Sequence, residues 1–163
     1  MNHRVSAEIE GEFVVFVLGM HINRPTRVRD WLPVVGAMRP MIKELQRQPE
    51  LGLLRAEMGW MFGGPAVVQY WRSYDQLVAY ARSAEALHVP AWRAFNRAAR
   101  RTDAVGVFHE TYRVADGTWE TVYSHMPAIG LRAATAGRTL DATSTSASRI
   151  GDREHDTAPV PAG

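Results

Sequence analysis

The 163-residue chain contains no cysteine. That excludes disulfide frameworks, thiolate nucleophiles and zinc–thiolate sites, and it fits a reducing compartment, so a cytoplasmic location is expected. Lysine is almost as scarce: Lys43 is the only one, and the other basic residues are arginines. The formal net charge is just +2. Arg27, Arg29, Arg97, Arg100 and Arg101 cluster locally, yet no basic stripe interleaved with aromatics follows any element, so a nucleic-acid partner is not expected. No apolar run approaches the roughly 18 residues that a membrane span needs. Met1–Glu12 has no apolar signal-peptide region, and no membrane partner is expected. A nucleophile elbow, a Walker motif, an HExxH helix and a dinucleotide fingerprint are also missing, which sets hydrolase and kinase readings aside.

What the chain does have is apolar material for one sizeable domain, 46% of its residues. Glu12–Met20 (EFVVFVLGM) reads as a buried strand. After a polar loop, Asp30 is a candidate N-cap for a helix over Trp31–Gln48. Leu32, Val35, Met38, Ile42 and Leu45 recur there at helical spacing, and Pro40 is expected to kink or divide the helix. Leu51–Phe62 reads as a second strand, Gly63-Gly64-Pro65 as a turn and Ala66–Arg72 as the hairpin partner. Ser73 can cap a helix through Arg82. A further helical stretch runs from Leu87 to Arg101, followed by the clearest late strand, Val105–Val114. Asp116-Gly117 then turns the chain toward a short strand at Trp119–Ser124.

This βαββαβ order predicts an α+β, ferredoxin-like unit. Its expected limits are residues 13–130, with an N-terminal arm over 1–12. From Leu131 onward Ala, Thr, Ser and Gly dominate, and no aromatic follows Tyr123. Residues 131–163 are therefore expected to form a disordered or loosely held tail. In the first strand Phe13, Val15 and Val17 alternate with Val14, Phe16 and Leu18, so both faces are apolar. Helices cover one face of such a sheet; a second sheet on the other implies a homodimer.

Two histidines stand out. At helical spacing His88 shares a face with Ala91, Trp92, Phe95 and Ala99. A histidine on an apolar helix face is ordinarily a core residue bonded to a carbonyl; the functional alternative is a metal or haem ligand, with Trp92 and Phe95 as the apolar wall. His109 lies on the same strand face as Val105, Val107 and Thr111, and Glu110 lies on the other with Phe108 and Tyr112. One of the two must point inward, where an ionisable group needs a partner or a role, so both are candidate catalytic residues. A structural hydrogen bond is the plainer account of either one alone. His21 could sit at a pocket rim but reads more simply as solvated, as do His3, His125 and His155. Arg55 and Glu57 share a strand face as an ordinary ion pair. Tyr70 and Trp71 straddle a strand, one under the helices and one on the open face, and Trp31, Trp60, Trp71 and Trp92 read as packing.

The run VVQYWRSYDQLVAYARSAEALHVPAWRAFN, followed by VGVFHETYRV, resembles a family of small bacterial and fungal proteins related to a fungal terpenoid-pathway monooxygenase. That family lies in the antibiotic biosynthesis monooxygenase-like, dimeric α+β barrel superfamily. The resemblance covers Phe13 to Pro127 and implies a dimeric barrel enclosing a small organic substrate in an apolar pocket. AYARSAEALHVPAWRAF and VFHETY are also similar to segments of haem-containing aldoxime dehydratases, which join two ferredoxin-like units in one chain. That likeness implies His88 as proximal haem ligand and His109 as distal acid/base. The leading expectation is a monooxygenase-like oxidoreductase of secondary metabolism with haem; cofactor-free oxygenation is also known in the superfamily. An aldoxime dehydratase-like haem lyase, and a non-catalytic haem carrier or stress-related dimer, are the alternatives.

Overall fold

A strand that is apolar on both faces must lie inside a sheet, and the Val- and Phe-rich segment Phe13–Ile22 does. The structure is a computed structural model that describes residues 4–86, 97, 99–141 and 143–150. In chain order the described elements are β1 (Arg4–Glu8), β2 (Phe13–Ile22), α1 (Val28–Gln46), β3 (Leu53–Met61), β4 (Gly64–Trp71), α2 (Tyr74–Ala86), β5 (Val105–Val114), β6 (Tyr123–Ser124), α3 (Leu131–Ala134), β7 (Ala136–Thr139) and α4 (Ser146–Ile150), with one 3-10 turn at Pro49–Leu51. They divide into two units, one of residues 13–113 and one of residues 1–12 with 114–163.

The first unit holds a four-stranded sheet in the order β3-β4-β2-β5. With α1 and α2 in the crossovers this is the ferredoxin-like α+β arrangement. The β2–β4 register pairs Val14 with Trp71, Phe16 with Gln69 and Leu18 with Val67, all on one face. That face packs on Val34, Met38, Ile42 and Leu45 of α1 and Leu77 of α2, forming the main core. The other face carries Val15 opposite Tyr70, Val17 opposite Val68 and Gly19 opposite Ala66. The β3–β4 hairpin closes through Phe62 and Gly63, both at positive φ (52° and 83°), as a two-residue loop requires. Phe62 bears the strain of that conformation and is steadied by an edge-to-face contact with Phe108, centroids 5.4 Å apart.

Helix α2 is capped as anticipated, the Gln76 amide donating to Ser73 Oγ at 3.2 Å. Helix α1 differs from expectation. It begins at Val28, so Asp30 sits in its first turn, paired with Arg27 at 2.7 Å, and it runs through Pro40 as one element. The hydrogen bond lost at Pro40 would have ended on the carbonyl of Gly36; both residues are on the exposed side, where water can satisfy that oxygen.

The second unit corrects the expected loose tail over its first twenty residues and gives the N-terminal arm a strand. β1 lies at the centre of a three-stranded sheet, β6-β1-β7, and β7 pairs antiparallel with it from Val5↔Thr139 to Glu8↔Ala136. The expected short strand at Trp119–Ser124 is confined to β6 and joins this sheet instead of the ferredoxin-like one. Small residues suffice for β7 because its cohesion comes from main-chain hydrogen bonds to β1, with Leu131 and Leu140 buried at its flanks. Residues 151–163 lie outside the described residues.

A mostly buried ion pair closes this unit. Arg149 Nε meets Glu120 Oε2 at 2.6 Å, Arg149 Nη1 donates to Ser144 O at 2.7 Å, and Ser146 Oγ donates to Glu120 Oε1 at 3.0 Å. The Arg149 hydrogen bond, reinforced by Ser146, holds the Glu120 carboxyl below the ordinary carboxylate range despite its partial desolvation. A lowered folded-state value means stability present at neutral pH and lost as pH falls through the carboxylate range. Replacing Arg149→Met should therefore cost about 1–2 kcal/mol at pH 7, a fall in Tm of roughly 2–8 °C. Thermal melts from pH 7 to pH 3 should show the gap to wild type closing in acid; a gap independent of pH would assign the loss to packing alone.

Candidate functional site

Strand β5 sorts the two candidate catalytic residues onto opposite faces. Val105 enters the helix-side core, so His109 shares its face, and the imidazole centroid lies 5.8 Å from the ring of Phe16. Phe108 faces the other way: a Cβ on Gly19 would come within 2.7 Å of its ring. Gly19 is thus glycine because Phe108 crosses β2 there. Glu110 shares that open face, where it accepts a 2.6 Å hydrogen bond from the Tyr112 hydroxyl. The bond to Glu110 raises the Tyr112 phenol above its ordinary value, with desolvation adding to it. His109 and Glu110 therefore do not form one site; the strand separates them.

The helix-covered face holds the remaining geometry. Across β4, β2 and β5 it presents Gln69, Phe16 and His109. Gln69 is buried, and its Oε1 accepts from the Trp71 indole at 2.9 Å. Trp71 is fully buried and packs on Tyr80 of α2, ring centroids 5.4 Å apart. Val107, on the same face as His109, is 46% exposed, and His109 itself is exposed among the described residues. The result is an apolar wall with an accessible imidazole at its edge. His88, Trp92 and Phe95 lie outside the described residues.

Gln69 was not singled out by the reading of the sequence. The available signal was a lone amide within AVVQYW, in step with Val67 and Trp71 on the buried side of the alternation. Trp71 and Tyr70 do divide between the faces, Trp71 under the helices and Tyr70 on the open one. Arg55 and Glu57 pair along β3 on the open face, Nε to Oε1 at 2.8 Å. Trp31 is half-buried and donates to the Pro25 carbonyl at 3.0 Å, whereas Trp60 is 67% exposed. His21 is exposed, its Nδ1 3.0 Å from Asn23 Oδ1, and His125 is exposed beside Ser124. His3 and His155 are outside the described residues.

The end of β5 beside this face is held to the loop after β2. Asn23 N donates to Ala104 O at 2.8 Å, and the Asp103 carboxylate takes Arg24 at 3.0 Å and Arg27 at 2.8 Å. Desolvation would raise the Asp103 carboxyl, but the charge and hydrogen bond of Arg24, then the charge of Arg27, outweigh it and hold it low. A separate cavity of about 180 Å³ lies within the unit of residues 1–12 and 114–163, lined by Glu8, Asp116, Trp119, Glu120, Arg138 and Arg149 among others. It includes none of the candidate residues. Among the described residues no group of three or more His, Cys, Asp and Glu could hold a metal ion, and no helix is long and apolar enough to cross a membrane.

Comparison with known proteins bears on this geometry. A curated relative, Monooxygenase af470 of Aspergillus fumigatus, is 29% identical over 132 residues, covering 70% of this chain and 43% of that protein. Among solved structures, an aldoxime dehydratase matches with a TM-score of 0.58 at 19% identity, over 84% of this chain and 39% of that one. A dimeric protein of ferredoxin-like fold from Bacteroides fragilis matches at 14% identity with a TM-score of 0.43, over 61% of this chain and 96% of that one. The chain thus spans less than half the length of both the curated relative and the aldoxime dehydratase. Residues 13–131, which take in the whole ferredoxin-like unit with Phe16, Gln69 and His109, match the family model Monooxygenase af470-like, and the chain belongs to that family.

Proposed function

We propose that the chain is a monooxygenase-like oxidoreductase that takes an apolar organic substrate against the helix-covered face of the sheet, with His109 as acid/base. The observation that carries this reading is the placement of His109: an exposed imidazole beside Phe16, at the edge of an apolar wall, on the face opposite Glu110. Imidazole is the side chain suited to proton transfer near neutral pH.

Haem is the proposed cofactor. His109, Phe16 and Val107 fit one side of such a group, an apolar surface with one accessible nitrogen base. The resemblance of AYARSAEALHVPAWRAF to haem-containing aldoxime dehydratases supports His88 as its ligand, with Trp92 and Phe95 against its face. The iron would supply the redox chemistry. The protein's own part is to exclude water with the Phe16–Val107 wall, hold the substrate in register and move a proton at the His109 ring. An aldoxime dehydratase-like haem lyase is the second reading, favoured by the same pair of histidines.

The functional unit is proposed to be a homodimer formed through the open sheet face. Val15, Val17, Val68 and Phe108 make that face apolar and only half-buried in the single chain, and the α+β barrel implied by the family resemblance would cover it with a second copy.

The deciding test is the visible spectrum of protein expressed with a haem precursor. A near-stoichiometric Soret band that is lost in His88→Ala is expected, while His109→Ala keeps the band and lowers turnover 10²-fold or more. Oxygen uptake with substrate and reductant would support the oxygenase, and turnover of an aldoxime without oxygen uptake the lyase. A protein that takes up no haem would sink the cofactor assignment.

The dimer is tested separately. Sedimentation at micromolar concentration should give a two-chain species, and Val17→Glu with Val68→Glu should convert it to monomer by burying charge at the interface. A wild-type monomer would remove the barrel.

A further inference from the structure

A core position on the helix-covered face carries a side chain whose hydrogen-bonding capacity is half used. Gln69 is 3% exposed, and only it and Ser6 are buried polar residues among those described. Ser6 is satisfied within its own unit, donating to Ala7 O at 3.1 Å and lying 3.2 Å from the Thr121 hydroxyl. For Gln69 the single bond is the one from Trp71 Nε1 to its Oε1. An indole can only donate, so that bond assigns the carboxamide: its oxygen faces Trp71 and its NH2 faces away. Among the described residues nothing accepts from that NH2. Leu or Met there would leave the buried Trp71 indole N–H unmet, which accounts for the oxygen of Gln69 but not for its NH2; that donor calls for a partner of its own.

Position says where the partner lies. Gln69 is directly opposite Phe16 on β2 and Ala56 on β3. Phe16 in turn touches the ring of His109 on β5. The amide and the imidazole therefore flank one aromatic ring, two strand spacings or about 10 Å apart. That is the span of a molecule with one ring and a short chain lying across Phe16.

We propose that Gln69 is the hydrogen-bond donor of the substrate pocket. Its carboxamide NH2 donates to an oxygen acceptor, a carbonyl or hydroxyl, on an otherwise apolar substrate whose reacting end lies toward His109. The inference rests on the reading of the helix-covered face as the substrate site, and it narrows the substrate class from any apolar molecule to one bearing oxygen remote from the reacting carbon. Hydrocarbons of the same shape are disfavoured because they leave the amide unpaired in an apolar surround.

The test compares acetophenone with α-methylstyrene, in which a CH2 group replaces the carbonyl oxygen. Both are titrated into the 15N-labelled full chain and followed by NMR, with the Gln69 side-chain NH2 pair identified by its absence in Gln69→Leu. The expected result is tighter binding of acetophenone by roughly three- to ten-fold, a downfield move of the Gln69 NH2 signals with acetophenone alone, and no preference in Gln69→Leu or Gln69→Met. Should neither variant fold, the NH2 pair is assigned in the wild-type chain by through-bond correlation from the Gln69 backbone, and its shift decides. Equal binding of the two probes, or an unmoved amide, overturns the role of Gln69 and leaves the pocket standing. Binding of neither overturns the pocket and this inference together.

Discussion

Both faces of this site's sheet depend on the register in which β2 pairs with β4. Because a strand's side chains alternate, a slip of one residue would turn every side chain to the other face. β2 itself does not protect against such a slip, since Phe13, Val15 and Val17 are as apolar as Val14, Phe16 and Leu18. Its neighbours do. Trp71 needs the depth under Tyr80 and α2, and Gly19 has to meet Ala66 where Phe108 crosses the strand, a place with no room for a Cβ. With β2 held in this way, Phe16 lands between Gln69 and His109, and Glu110 is excluded from their company.

The two faces then take different chemistry. On the helix side Gln69 lies in an apolar setting where its hydrogen bonds are worth more than in water, and His109 stands at the exposed edge. On the open side the polar groups occur as self-satisfied pairs, Arg55 with Glu57 and Tyr112 with Glu110, at the margins of a valine-rich centre. Charges already paired in one chain need no new partner when a second surface approaches, which lowers the cost of covering them.

The element order was legible because each element of the ferredoxin-like unit announces itself locally: β5 was read to the residue, α2 from its Ser73 cap. The C-terminal residues were not legible for the opposite reason. β7 has no amphipathic pattern of its own and is a strand only because β1, more than a hundred residues earlier, offers it hydrogen bonds; composition is blind to such a partner. Pro40 was read as a kink or a division; the helix is undivided there, and the Gly36 carbonyl left without a donor faces water. For the site, alternation alone established that His109 and Glu110 diverge, but which of them turns toward the helices needed the neighbouring strand. Gln69 passed as one more residue of an apolar strand, because an amide becomes informative only once its burial and its single partner are known.

Symmetry gives the proposed dimer its functional meaning. The matched region covers 43% of the curated relative and 39% of the aldoxime dehydratase, and residues 13–113 make one ferredoxin-like unit. A protein with two tandem units can let them diverge, one keeping the site and the other serving as a lid. Two copies of one chain cannot: every residue on the open face meets the same surface, and each copy carries its own Gln69, Phe16 and His109. Substitutions on the open face are then felt twice, while the helix-covered face, which makes no part of the proposed interface, is free to adapt to a substrate. On that reading the open face is the conservative half of the molecule and the helix side the half in which specificity is set.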